Sequence, residues 1–589
     1  MEKNWILSEP ADSDWQKQFS DVHPVARQLL WNRQVREKET VARFLNPNYE
    51  TDLHDPFLFN DMEKVVARLF KAIELKEKIF VYGDYDADGV PGAAIIKSTL
   101  DALGAVTGIY IPHREQEGYG LNSGAISYML DQGGKIVITC DCGISNAAET
   151  AEAMAKGMDV IITDHHRIPE IVPKAFAILH PLIETEKYPN KYLTGGGVGF
   201  KLAQALVKRC QVSTAEAGQA GVRCRKVEEG FEKWLLDLVA ISTVADVGKL
   251  LGENRTFVKY GLKVLNKTRR VGLQKLIEIA GIKTGNLDTM SIGWQIAPRI
   301  NAAGRMDHAN VAFALLTTQD PQEAEKLAGQ LNAANVERQK ATEKALKEAR
   351  QTLLQQGEKL GEQAPYLLAA YNPSWNAGVI GLVAGKLMDE LRRPVIIGTK
   401  NEMGLMVASA RSIGEFNVIE ALAASKEYLL KFGGHPKAAG FSVESEEKWA
   451  ALIAHLQGLA HKQLHEADIR PSLNIDADVA LTQIDWDFVN AVQQLEPFGE
   501  ANPRPRFLIH GLEVVGFDGV GNNGKHLRLT ATDETRRPRK MIGFNCGTWC
   551  AKLKRGDSID VVVEVGVNEW NGNRDIELRI VDLRFHAAK

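Results

Sequence analysis

Lys78-Ile79-Phe80-Val81-Tyr82-Gly83-Asp84-Tyr85-Asp86-Ala87-Asp88-Gly89 decides the fold. A short apolar run enters a glycine and then three acids at alternate positions. An uninterrupted apolar run is what a strand covered on both faces of a parallel sheet presents. Ligands of such sheets gather at the carboxyl ends of the strands. The same texture returns in KIVITCDCG (135–143), DVIITDHH (159–166) and FAILHP (176–181), with Ala-rich helical stretches from Ala93 to Leu103 and from Ala147 to Lys156. The expectation is an α/β chain of βαβ units with its acids and histidines along one sheet edge.

Further along, Asp320-Pro321-Gln322-Glu323 supplies an N-cap, a proline at the first helical position and an acid in the first turn. It opens one helical pattern with Gly357 as its expected stop. A helix of that length suits a strut between two domains, the alternative being a solvated helix or an antiparallel hairpin. A second α/β unit follows, with PYLLAAYN (365–372) and RPVIIGTK (393–400) as strands around a helix from Val379 to Leu391. After Pro471, strand-like runs joined by Gly- and Asn-containing turns indicate an all-β barrel of OB type. Residues 1–60 hold no metal-binding cluster and read as a packed extension.

Composition narrows the function classes. With 589 residues, 44% hydrophobic and 25% charged, the chain is an ordinary multidomain globular protein, not a disordered, collagenous or coiled-coil one. Lys+Arg at 71 against Asp+Glu at 75 gives a net charge of −4, which excludes a polybasic nucleic-acid binder. An anionic partner must be held by local clusters or by metal. From Ala501 to Lys589 there are 15 Lys+Arg against 11 Asp+Glu, so the end of the chain is mildly basic. Six scattered cysteines fit a reducing cytosol. No signal peptide and no apolar run of about 18 residues is present, so a cytoplasmic protein that neither leaves the cell nor spans a membrane is expected.

The chemistry lies at the strand ends. Asp84, Asp86 and Asp88 repel one another unless something positive sits among them, and a hard divalent cation is the simplest remedy. Asp141 follows the second strand, Asp164-His165-His166 the third, and Asp246 ends the apolar stretch DLVAISTVAD (237–246). If extended, His165 and His166 point in opposed directions, so only one is a direct ligand. Carboxylates dominate the set, which favours a pair of Mn2+ or Mg2+ ions over zinc. Two such ions about 3.5–4 Å apart suit phosphoester hydrolysis. Cys140 and Cys142 read as small buried residues, and Cys546 and Cys550 as structural.

DYDADG, DCG, DHH and TVADV, in this order, resemble the DHH phosphoesterase superfamily. PRINAAGR (298–305), SARS (409–412), GGHPKAAG (433–440) and EPFGEANPRPRF (496–507) are similar to its RecJ branch, the single-strand-specific 5′→3′ DNA exonucleases. The resemblance implies an N-terminal extension (1–60), a DHH catalytic domain (61–315), a connecting helix (316–358), a DHHA1 substrate-binding domain (359–465) and an OB domain (466–589). It makes Asp84, Asp86, Asp88, Asp141, His165 and Asp246 metal ligands, with Asp88 and His165 essential to catalysis. Asp164 would orient His165, and His166 would face the scissile phosphate or the leaving oxygen. Arg299, Asn301 and Arg305 would form a phosphate-contacting loop. Ser409, Arg411, Gly434 and His435 would grip the terminal phosphate, and Arg114 and Tyr119 would help to form the 5′-end pocket. Release of 5′-mononucleotides from single-stranded DNA in repair and recombination is implied, by a monomer working with single-strand-binding protein and a helicase.

Three positions depart from that pattern: Asn376 where relatives carry histidine, His180 where asparagine is usual, and Cys140 in place of an apolar residue. Two other readings compete. A small-substrate member of the superfamily would generally stop after the GGHPKAAG region, and a catalytically silent DNA-binding scaffold would have lost metal ligands. The barrel argues against the first, and the complete acid set against the second.

Overall fold

The computed structural model describes residues 3–215, 225, 227–306, 308–360, 365–401, 404–570 and 573–587. It divides into two compact units. One comprises His54–Asp246 and Gly261–Pro471, the other Met1–Leu53, Val247–Tyr260 and Ser472–Lys589.

In the first unit, five parallel strands lie in the order Val106–Tyr110, Lys78–Gly83, Gly134–Cys140, Asp159–Thr163, Ala177–Leu179. The apolar runs of the three inner strands are buried on both faces, as Ile79, Val81, Ile138 and Ile161 on one face and Phe80, Val137, Val160 and Ile162 on the other attest. The register aligns the strand ends: Gly83 pairs with Cys140, Cys140 with Thr163 and Thr163 with Leu179. The ladder then runs one residue further, with the N–H groups of Asp84, Asp141 and Asp164 donating to the carbonyls of Cys140, Thr163 and Leu179. Asp84, Asp141, Asp164 and His180 thus leave the sheet at one level.

The connecting helix runs from Pro321 to Leu360 without a break, about 60 Å at 1.5 Å per residue. Asp320 caps it by accepting from the N–H of Gln322. It passes through Gly357, the expected stop, because a helical glycine costs only about 1 kcal/mol and does not oblige termination. Both ends are packed. Ala324, Ala328 and Leu331 are buried near the start, and Ala345, Ala349 and Leu353 share a core with Leu368, Trp375 and Val383 of the following domain. The hairpin alternative is thereby excluded. That domain is a mixed sheet in the order Lys431–His435, Ala438–Val443, Met406–Arg411, Val395–Lys400, Leu368–Tyr371, with one parallel pair at the Leu368 edge. Its helix spans Ile380–Leu391.

In the second unit, strands Arg506–Val520, His526–Thr532, Arg539–Gly543, Asn573–Phe585 and Ser558–Trp570 close on themselves, because the first also pairs with the last. This is the expected barrel; its turn residues Asn571-Gly572 lie outside the described residues. The N-terminal segment is part of this unit. Asn4–Leu7 pairs in parallel with Ser472–Ile475, and Trp15, Leu29, Leu30 and Phe44 share one core with Phe488, Phe507 and Val561. Arg33 donates to Asn502 Oδ1 at 2.6 Å and to the Pro503 carbonyl at 2.7 Å. Arg255, almost wholly buried, donates to the carbonyls of Phe44 at 2.8 Å and Glu496 at 3.0 Å. The EPFGEANPRPRF stretch therefore works as a joint that satisfies two buried guanidinium groups.

Candidate metal centre

Main-chain donors position Asp86 and Asp88. Asp86 Oδ1 accepts from the N–H groups of Asp88 at 2.8 Å and Gly89 at 3.1 Å, which folds the acidic loop back on itself. A Cβ at Gly89 would stand 2.6 Å from that of Asp84, so the loop closes only around glycine. Asp88 ends in a pair of donors from another helix. Its Oδ2 accepts from Gly195 N–H at 2.8 Å and its Oδ1 from Gly196 N–H at 2.7 Å, at the start of helix Gly195–Ala215. A helix N-terminus stabilises negative charge there. Ser242 donates to Asp88 as well. Asp141 has φ +63°, a left-handed conformation that aspartate tolerates better than most residues. Asp246 caps the C-terminus of helix Leu236–Ala245.

The side chains meet around His165. Its Nε2 lies 3.0 Å from Asp141 Oδ1, 3.5 Å from Asp88 Oδ2 and 3.6 Å from Asp246 Oδ2. Asp84, Asp86 and Asp141 form an adjoining group whose ligand atoms lie within 4.8 Å of one another. Burial, then the neighbouring acids, pushes the carboxyl groups of Asp84 and Asp141 well up and that of Asp246 to about 8. Burial pushes His165 down. Asp84 Oδ1 is buried with no hydrogen-bond partner. A crowded, dehydrated acid set with an orphaned carboxylate oxygen is short of positive charge, and divalent cations fit it.

Two expectations about the histidines are corrected. The backbone bends after Asp164, so the rings of His165 and His166 lie 4.6 Å apart instead of pointing in opposed directions. Asp164 orients His166, not the His165 ring: Asp164 Oδ1 stands 2.8 Å from His166 Nδ1 and accepts the N–H groups of both histidines. Its other oxygen accepts from Ile144 N–H at 3.0 Å. Burial opposes the His166 charge, yet the hydrogen bond and charge of Asp164 prevail and raise it to about 9, while Asp164 falls to about 2. Tyr119 Oη lies 3.0 Å from His166 Nδ1 and donates to the Asp141 carbonyl, so Tyr119 belongs to the metal centre itself.

Arg299, Asn301 and Arg305 lie on a helix, Ala297–Met306, not in the expected loop. Pro298 directly follows a π-helical turn, Ile292–Ile296, in a helical stretch that begins at Thr289, so its missing N–H falls where the regular i→i−4 ladder is already interrupted. Asn301 accepts from Ala87 N–H at 2.8 Å and so holds the acidic loop. Arg305 donates to the Gly378 carbonyl at 2.9 Å, linking the two halves of this unit, and Arg299 donates to Asn332. Arg114 stacks on Tyr85. Burial first, then the charges of Arg114, Arg338 and Arg411, lowers Arg305 to about 10, which puts four guanidinium groups in one neighbourhood. Arg411 donates to Ser409 Oγ at 2.8 Å, and both face Gly381 at the start of helix Ile380–Leu391. Gly434 and His435 stand on the exposed hairpin beside that sheet, with His435 opposite Ala438 and Ala438 opposite Arg411.

Sequence reasoning missed Gly195, Gly196, Ser242 and Arg338. The Gly195-Gly196-Gly197 run before an apolar helix was the available signal for the first two. Arg338 is hidden among the alternating charges of the long helix. The departures have local accounts. Asn376 Oδ1 accepts from Gly378 N–H at 2.7 Å, and His180 Nδ1 accepts from Leu182 N–H at 3.1 Å, each closing a turn. Cys140 and Cys142 are fully buried, as expected.

Comparison with known proteins places these features in a family. The DHH family N-terminal domain matches residues 78–243, the DHHA1 domain 364–462 and the RecJ OB domain 475–582. The single-stranded-DNA-specific exonuclease RecJ of Bacillus subtilis is 36% identical over 98% of this chain and 70% of its own length. That of Escherichia coli is 30% identical over 95% of this chain and 96% of its own length. The crystal structure of RecJ from Thermus thermophilus in complex with Mn2+ superposes with a TM-score of 0.81 at 29% identity, covering 99% of this chain and 80% of that one. Sheet edge, strut, barrel and sequence agree, and the chain belongs to the RecJ family of single-stranded-DNA-specific exonucleases.

Proposed function

We propose that the chain releases 5′-mononucleotides successively from the 5′ end of single-stranded DNA by phosphodiester hydrolysis, with two Mn2+ or Mg2+ ions as cofactors. The observation that carries this reading is the convergence of Asp88, Asp141 and Asp246 on His165 beside the orphaned Asp84 oxygen. Support for the ions comes from RecJ structures solved with Mn2+ and with Mg2+; the polarity is taken from the family resemblance.

Asp84, Asp86, Asp88, Asp141, His165 and Asp246 would hold the ions. When bound, such a pair supplies Lewis acidity at the phosphoryl group and an activated nucleophile derived from water. The Gly195 and Gly196 N–H groups hold the Asp88 carboxylate in place. Asp164 fixes the His166 ring through Nδ1, which leaves Nε2–H to donate to the departing 3′ oxygen. Tyr119 Oη lies against that same Nδ1. Arg114, Arg305 and Arg411 neutralise the phosphates flanking the scissile bond, their forks matching phosphate geometry. Arg299 and Asn301 fix the helix and loop behind them, while Ser409, Gly434 and His435 grip the terminal phosphate.

In the same reading, residues 61–315 catalyse, 316–358 connect, 359–465 bind the strand end and 466–589 hold the strand, with residues 1–53 of the 1–60 extension in the barrel unit. The enzyme acts as a cytoplasmic monomer in DNA repair and recombination, supplied with strands by a helicase and by single-strand-binding protein. Among the described residues no helix is long and apolar enough to cross a membrane. The test is digestion of oligonucleotides labelled at either end, with Mn2+ or Mg2+ present. Labelled mononucleotide is expected first from the 5′ end; loss from the 3′ end only, or no cleavage, overturns the proposal.

A further inference from the structure

In the barrel unit a second set of histidine and aspartate side chains converges. His510 stands on strand Arg506–Val520, Asp560 on Ser558–Trp570, and His586 directly after Asn573–Phe585. Asp560 Oδ1 is 3.1 Å from His510 Nδ1 and 2.6 Å from His586 Nδ1. One ligand atom from each residue lies within 4.8 Å of the other two. Asp560 is buried, 3% exposed, whereas the two imidazole rings are partly open. They border a groove of about 1290 Å³ walled by Trp5 and Trp549.

Hydrogen bonding alone accounts poorly for this arrangement. Asp560 Oδ1 also accepts from Gly511 N–H at 3.1 Å, so one oxygen would serve three donors. A cation replacing the two imidazole protons relieves that crowding. The observed separations, 3.1 and 2.6 Å, fall short of the roughly 3.3 Å edge of a tetrahedron with ligands at about 2.0–2.1 Å, a gap that rotation of the half-exposed rings can close. His510 Nε2 lies 3.5 Å from Asp478 Oδ2, the kind of outer carboxylate that sets the tautomer of a metal-bound imidazole. Arg584 stands 3.5 Å from Asp560 Oδ2 and stacks on Trp5, which occupies the other carboxylate oxygen and leaves Oδ1 to the cluster.

We propose that His510, Asp560 and His586 form a further metal site, with one position open to water, that ties the end of the last strand to the barrel. Two imidazoles and one carboxylate suit a borderline ion of the Zn2+ type, in contrast to the hard, oxygen-rich set of the catalytic centre.

The test strips the full-length chain with a chelator, dialyses it against Zn2+ and counts the metal, comparing wild type with the double variant His510→Gln/His586→Gln. The variant should hold one Zn2+ fewer per chain. Zn2+ should raise the Tm of the wild type by several degrees more than that of the variant. With Co2+, the difference spectrum between the two should show the visible bands of a low-symmetry four-coordinate ion. Equal metal counts with no Co2+ difference overturn the proposal. Far-UV circular dichroism checks the fold first; should the double variant fail it, the single His510→Gln variant decides by the same count.

Discussion

The two histidine and aspartate clusters use the same residue types under opposite conditions. Around His165 several carboxylates crowd one imidazole, three of them almost fully buried, and the acids are pushed up for want of positive charge. Around Asp560 two half-exposed imidazoles flank a single carboxylate, which lies below its usual range because burial is outweighed by hydrogen bonds from His586 and Gly511. The first set is short of positive charge, whereas the second carries more imidazole than carboxylate. Residue identity therefore does not choose a metal; the ratio of carboxylate to imidazole and the access of water do.

The largest effect expected from breaking this contrast is at the catalytic centre. Asp88→Ala or His165→Ala should slow nucleotide release about 10³-fold or more, roughly 4 kcal/mol of barrier, while single-strand binding measured by anisotropy persists. Chelation should do the same to the wild type, and adding back Mn2+ or Mg2+ should restore it.

Next comes the barrel unit's own cohesion. Arg255→Met removes a buried guanidinium that serves the carbonyls of Phe44 and Glu496, and should cost about 3 kcal/mol, read as a lower Tm. An unchanged melting curve would show that the joint contributes nothing.

A third substitution isolates what a carboxylate does for an imidazole. His166, bonded to Asp164, is held near 9, whereas His180, one residue past the neighbouring strand, is pushed down to about 4 by burial. His180 is thus neutral in the fold and protonates more readily when unfolded. Its contribution is intact above about pH 6.5 and is lost as pH falls toward 4, up to about 2–3 kcal/mol. His180→Asn should flatten that part of the stability profile measured by denaturant titration.

The smallest effect should come from His510→Gln/His586→Gln, which should leave the Mn2+-dependent rate within about twofold. A large loss would tie the barrel cluster to catalysis and erase the distinction.

Much of this was legible in the chain. Strand ends in a parallel sheet share a level, so acids that follow apolar runs meet, and Asp84, Asp141 and Asp164 did. The rest depended on geometry that spacing does not encode. Nothing local tells that Asp164 turns to His166, because that choice depends on the bend after Asp164. PRINAAGR reads as a loop from its Pro and Gly, yet Pro298 follows a π-helical turn within one helical stretch and Gly304 packs closely on the Tyr85 carbonyl. The partners that residues 1–53 find elsewhere in their unit lie about two hundred to more than four hundred residues away, beyond the reach of any local pattern.

That last pairing bears on how the protein is made. Strand Asn4–Leu7 and the Trp15, Leu29 and Phe44 side chains have no sheet edge or core until Ser472–Ile475 and the barrel have been synthesised. At 5–20 residues per second the ribosome needs roughly 20–80 s to deliver them. For that interval the segment is a sticky, unfinished surface in need of shelter, and the unit completes only when its two distant parts have both been made.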